Sequence, residues 1–143
     1  MILTFLNKYR DIGLLILRLG IGVMFLYHGA PKIFGGPENW KNLGMAMSTF
    51  GIQFAPVFWG FMSAFAEFFG GILIILGLFF RPACMLLTIN MIVATSMHLS
   101  SGQGLGVASH AIEDGIVFLS LILIGPGKYS LDEKIKPYQS KET

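Results

Sequence analysis

Eight ionisable side chains interrupt the long apolar runs of this sequence. "RLGIGVMFLYHGAPK" carries Arg18, His28 and Lys32, and "AFAEFFGG" carries Glu67. "ATSMH" ends on His98, and "SHAIEDG" holds His110, Glu113 and Asp114. Carboxylates and imidazoles can exchange protons with a bound molecule, and an arginine can hold a negative charge in place. Each group is costly when it faces hydrocarbon, so all but Lys32, which lies near the membrane interface, are expected to turn inward or toward a water-filled cavity. Other chemistries are disfavoured. No serine or cysteine stands in a recognisable nucleophile motif. There is no HExxH or ExxH pattern, so no metal site is expected. Cys84 is the only cysteine, which excludes an internal disulfide and a CxxC redox pair.

The elements that must position these groups follow from composition. The chain has 143 residues, of which 54% are hydrophobic and only 13% charged. A soluble surface carries about a quarter charged residues, so this balance points to an integral membrane protein. Net charge is +2, and no basic face with interleaved aromatics occurs, so no nucleic-acid partner is expected. Lys8 and Arg10 precede an apolar run as in a signal peptide, but Arg18 interrupts that run and no clean small-x-small cleavage site follows before "HGAPK". The segment is read as a retained first span.

Four spans are expected, at about 12–34, 57–80, 84–99 and 108–125, forming an all-α transmembrane four-helix bundle in one domain, 1–132. "RPA" at 81–83 is expected to make the second and third spans a tight hairpin. Between the first two spans, Trp40, Leu43, Met47 and Phe50 follow helical spacing. That spacing fits an amphipathic interfacial helix, or a surface loop with an aromatic anchor. "SSGQGLG" lacks a preceding strand, so it does not read as a nucleotide loop. Residues 133–143 form a polar, Lys-rich tail.

Lys8, Arg10, Arg81, Lys128, Lys134, Lys136 and Lys141 fall on one side of the four-span arrangement, against Lys32 and Lys41 on the other. The positive-inside rule makes the first side cytoplasmic, with both termini inside. In depth, every intramembrane ionisable group except Arg18 then lies at mid-depth or in the outer half. In helical phase, Arg18, Gly22, Phe25, Gly29 and Lys32 share a face of the first span. Gly60, Ser63, Glu67 and Gly71 share one on the second, Asn90, Ala94 and Met97 one on the third, and His110, Asp114 and Val117 one on the fourth. The expected result is an outward-opening polar pocket lined by His28, Glu67, His98, His110, Glu113 and Asp114. Arg18 lies deeper and calls for a carboxylate, with Glu67 first and Asp114 second. Lys32 is expected to snorkel to the interface as an anchor.

"RLGIGVMFLYHGAPKIFG", "AEFFGGILIILGLFFRPA", "MIVATSMH" and "GPGKYSLD" occur in an order and spacing that resemble the DoxX family of small bacterial membrane proteins. The resemblance covers roughly Leu14 to Asp132 and implies four transmembrane helices. It also implies an oxidoreductase, or a membrane subunit associated with quinone-linked sulfur oxidation. Its matching positions are Arg18, His28, Gly29 and Lys32; Glu67, Gly70, Gly71 and Arg81; His98; and Gly125, Pro126, Gly127, Tyr129 and Asp132.

The leading expectation is therefore a quinone-linked membrane oxidoreductase or its membrane subunit, in a bacterial cytoplasmic (inner) membrane. Glu67, His28 and His98 are the expected catalytic groups. Arg18, His110, Glu113 and Asp114 are the expected ligand-binding groups. The chain carries no evident flavin or iron–sulfur motif, so a redox partner protein is expected. Homo-oligomerisation is left open. The alternatives are a binding protein or carrier for a small or lipidic molecule, and a scaffold whose charges only organise the bundle.

Overall fold

The computed structural model describes residues 2–135. A 3-10 segment, Thr4–Tyr9, runs into α1, Arg10–Phe34. A short helix α2, Gly36–Gly44, and a 3-10 turn, Met45–Phe50, follow. Three long helices come next: α3, Pro56–Leu76; α4, Phe80–Ser100; and α5, Leu105–Ile124. A one-turn helix α6, Leu131–Ile135, ends the described chain. No strand occurs among the described residues. Four helices are long and apolar enough to cross a membrane. The protein is an all-α, multi-pass membrane protein. The expected tail begins inside α6, and its residues 136–143 lie outside the described residues.

Helix α3 is the axis of the bundle. It packs against α1, α2 and α4, while α5 packs on α4. Glycines decide which neighbours come closest. A Cβ at Gly29 of α1 would stand 2.5 Å from the Phe68 backbone nitrogen. One at Gly71 of α3 would stand 2.9 Å from the Gly22 carbonyl oxygen. The two backbones touch only because these side chains are absent, which is small-residue packing of the kind membrane helices use. Gly44 and Gly60 do the same for α2 and α3: a Cβ on Gly60 would overlap the Trp40 carbonyl. The segment between the first two spans is thus a helix held on α3 rather than an open loop. The α5 helix meets α1 through an edge-on ring contact, Phe25 to Phe118, with centroids 4.8 Å apart.

Phe80, Cys84, Leu87, Phe118 and Leu121 fill the interior, whereas Ile16, Val23, Ile89, Ile92, Leu119 and Leu123 stay exposed on the long helices. Such an apolar outer surface suits lipid and would be costly in water. The α3–α4 turn lies earlier than expected, at Gly77–Phe79 rather than at "RPA". Gly77 adopts a left-handed φ of 63°, which glycine accepts without steric cost. Pro82 then falls in the first turn of α4, where a missing N–H breaks no intrahelical bond.

Candidate functional site

The polar centre of the bundle is built one turn away from the close helix contacts. Gly29 sets α1 against the backbone of Glu67 and Phe68. Lys32 lies three residues further along the same face, so its ammonium reaches Glu67 directly. The Lys32 Nζ donates to Glu67 Oε1 at 2.7 Å and to Oε2 at 2.6 Å. On the other flank, Gly70 makes room for Leu87 of α4, where a Cβ would meet the Leu87 side chain at 3.2 Å. Asn90 stands three residues beyond Leu87, and its Nδ2 donates to Glu67 Oε1 at 3.0 Å. Three helices thus converge on one carboxylate midway along α3.

The environment is asymmetric. The Glu67 side chain is 6% exposed, but that of Lys32 is 32% exposed. An ammonium carries three N–H donors, so the two contacts to Glu67 do not exhaust it. The Lys32 backbone is fixed from α2. Its carbonyl, in the last turn of α1, accepts from Trp40 Nε1 at 2.9 Å and Asn39 Nδ2 at 3.2 Å. These side chains satisfy a carbonyl that has no intrahelical partner. Asp114 of α5 lies within electrostatic range of Glu67, His28, His110 and Glu113.

The expectations for Arg18 and Lys32 are both corrected here. Arg18 does not pair with Glu67 or Asp114. Its Nε donates to the Ile74 carbonyl at 3.0 Å and its Nη2 to the Ile75 carbonyl at 2.8 Å. Its Nη1 donates to the Pro126 and Tyr129 carbonyls at 3.0 and 3.1 Å. Ile74 and Ile75 lie in the last turn of α3, where the helix dipole is negative and the Ile74 carbonyl also accepts from the Gly77 N–H at 3.2 Å, so that helix end takes the hydrogen bonds expected of a carboxylate. Gly77 leaves room for the guanidinium, and the Phe80 ring lies 5.8 Å away as a cation–π partner. Lys32, in turn, is not a snorkelling anchor, because its ammonium folds inward onto Glu67.

The polar clusters therefore belong to different ends of the molecule. Arg18 and Lys32 are 14 residues apart, about 21 Å along α1. At the Arg18 end the segment 125–132 closes over the guanidinium. Asp132 accepts from the Phe79 and Phe80 backbone N–H groups, both at 2.9 Å, and so caps α4.

A family model described as DoxX matches residues 13–99. The chain belongs to the DoxX family. A Haemophilus influenzae protein named "Uncharacterized protein" is 30% identical over 135 residues, covering 90% of this chain and 95% of that relative. "Uncharacterized membrane protein Rv3486" of Mycobacterium tuberculosis is 33% identical over 136 residues, covering 83% of this chain and 78% of the relative. "Putative oxidoreductase CatD" of Bacillus subtilis is 34% identical over 89 residues, covering 62% and 61% of the two chains. No solved structure matches.

In this DoxX protein the matched region contains Lys32, Glu67 and Asn90 but ends before α5. The structure gathers only part of the expected six-residue pocket. His28 is exposed on α1 beside Tyr27, with ring centroids 5.5 Å apart. His98 Nδ1 lies 2.6 Å from Gln103 Oε1, in the loop after α4. His110 and Glu113 are exposed on α5. Glu67 receives Lys32 and Asn90, and Asp114 is half-buried on α5. Asn90 was visible in sequence only as a member of an inward stripe, and Lys32 only as an anchor. The Gly29–Lys32 and Leu87–Asn90 spacings, each three residues, were the available signal.

Proposed function

We propose that this protein is the membrane subunit of a quinone-linked oxidoreductase, with the quinone headgroup bound at Lys32, Glu67 and Asn90. The observation that carries this reading is the half-open ion pair: a buried carboxylate held by the ammonium of a partly exposed lysine, whose donors it does not exhaust. A quinone oxygen is a suitable acceptor for a remaining donor, and the surrounding apolar helices suit its ring and tail. Quinone reduction takes two electrons and two protons. Lys32 and Glu67 can supply and recover a proton within one hydrogen-bonded pair, and Asp114 offers a second carboxyl group. Electrons come from a partner protein in this reading, since the chain presents no flavin or iron–sulfur motif. The name of the Bacillus subtilis relative favours the oxidoreductase class. The reading also sets the protein in a bacterial cytoplasmic membrane with both termini inside, on the strength of the Lys and Arg distribution.

The test uses the indole of Trp40, which touches the Lys32 carbonyl. A short-chain ubiquinone analogue should quench tryptophan fluorescence of the protein in nanodiscs with a saturable curve. The Lys32→Met, Glu67→Met double variant removes both charges together, so no lone charge is stranded. It should bind about tenfold more weakly, as expected from losing a charge-assisted hydrogen bond. Quenching that rises linearly without saturation, or that is unchanged in the folded double variant, would sink the reading and leave the pair as a helix lock.

A further inference from the structure

The end of the bundle opposite the Lys32–Glu67 pair carries a basin of about 1140 Å³. Its rim holds Arg10, Arg81, Lys128 and Lys134. These cations come from the start of α1, the start of α4, the segment after α5, and α6. No ion pair with another described residue engages any of the four. Two of the nearby carboxylates are committed to backbone: Asp11 Oδ1 accepts from the Lys128 N–H at 3.0 Å, and Asp132 caps α4. The Arg81 Nε donates to the Ile122 carbonyl at 2.9 Å, which aims its side chain while leaving the terminal nitrogens available. The same lining holds Leu14, Leu78, Phe79 and Ile124, and a third carboxylate, Glu133, beside Asp11 and Asp132. Phe79 is 66% exposed, so the apolar wall continues onto the outer surface.

Four cations beside apolar side chains, against three carboxylates of which two are turned to backbone N–H groups, leave a basic and partly apolar basin at the ends of the spanning helices that matches an anionic amphiphile. We propose that this basin binds the headgroup of an anionic phospholipid. The phosphate sits among Arg10, Arg81 and Lys128, and the first methylenes of the acyl chains lie along Phe79 and Ile124. Arginine and lysine are the side chains that hold phosphate, and basic groups just outside a span are drawn to anionic lipid. The volume exceeds what a free phosphate ion fills, and the apolar wall gives such an ion nothing, so a lipid is the better occupant.

Native mass spectrometry of the protein released from nanodiscs tests this. Discs of phosphatidylglycerol with phosphatidylcholine should yield retained phosphatidylglycerol in preference to phosphatidylcholine. The Arg10→Gln, Lys128→Gln, Lys134→Gln variant leaves the Arg81 carbonyl bond and the Asp11 cap in place. Its retention should fall about fivefold for each charge removed. Lys41→Gln, a charge removed from outside the basin, should change nothing. Equal retention of both lipids, or an equal loss in Lys41→Gln, overturns the proposal. Displacement of the lipid by millimolar inorganic phosphate alone would also overturn it, by assigning the basin to free phosphate.

Discussion

At the residue scale, two cations on one helix face meet opposite fates. Arg18 is 1% exposed yet finds four neutral carbonyls, which its planar fork can reach at once. A lysine has one point charge and cannot span them. Arg18→Lys should therefore lower stability by about 2 kcal/mol through carbonyls left unpaired, read as a lower melting temperature in detergent. Lys32 instead forms a bidentate pair with Glu67. Glu67→Gln or Lys32→Met alone should cost about 3 kcal/mol, because each leaves a charge without its partner. The double variant should cost less than the sum, giving a coupling that a double-mutant thermal cycle reads directly. Additive losses would mean the two side chains do not interact. Helical phase made the inward direction of Arg18 legible, since position 18 shares a face with Gly22 and Phe25. Its partner was not legible: a sequence displays carboxylates, whereas the helix end that accepts the guanidinium exists only once α3 is folded.

At the scale of elements, glycine spacing sets the site. Gly29 lets α1 approach α3, and Lys32 and Glu67 meet one turn away. Gly29→Ala places a methyl against the Phe68 backbone, which cannot yield as a flexible side chain would. It should cost about 1–3 kcal/mol and loosen the ion pair. Gly20→Ala, with nothing within 4 Å, should be neutral to within about 0.5 kcal/mol. Equal melting temperatures for the two variants would contradict glycine-controlled packing. The four apolar helices were readable from hydropathy, and α2 was half readable from the Trp40–Phe50 spacing. The inward turn of Lys32 was not, because a lysine near a helix end reaches the interface unless a neighbouring backbone comes close enough to offer a carboxylate. Asp132 shows the same dependence on tertiary structure. It sits 53 residues from the Phe79 N–H that it caps. Asp132→Ala should remove about 1 kcal/mol by exposing that helix start, measured as thermal stability.

At the scale of the whole molecule, the charged groups divide between two levels. One end holds the Arg18 clasp and the basic basin, and the other holds the half-open pair on α1, α3 and α4. Sequence gives depth and face, but not that His98 meets Gln103 or that His110 is exposed. Glu67 sits midway along α3, the helix packed against α1, α2 and α4. The central claim is that the open side of Lys32 and Glu67 receives a quinone. Photolabelling with an azidoquinone in native membranes, followed by peptide mapping, tests it most directly. Label concentrated on the Lys32 end of α1 and the Glu67 region of α3, and lost with excess unlabelled quinone, is the predicted result. Label spread evenly over lipid-facing positions, or confined to the Arg18 end, would contradict it.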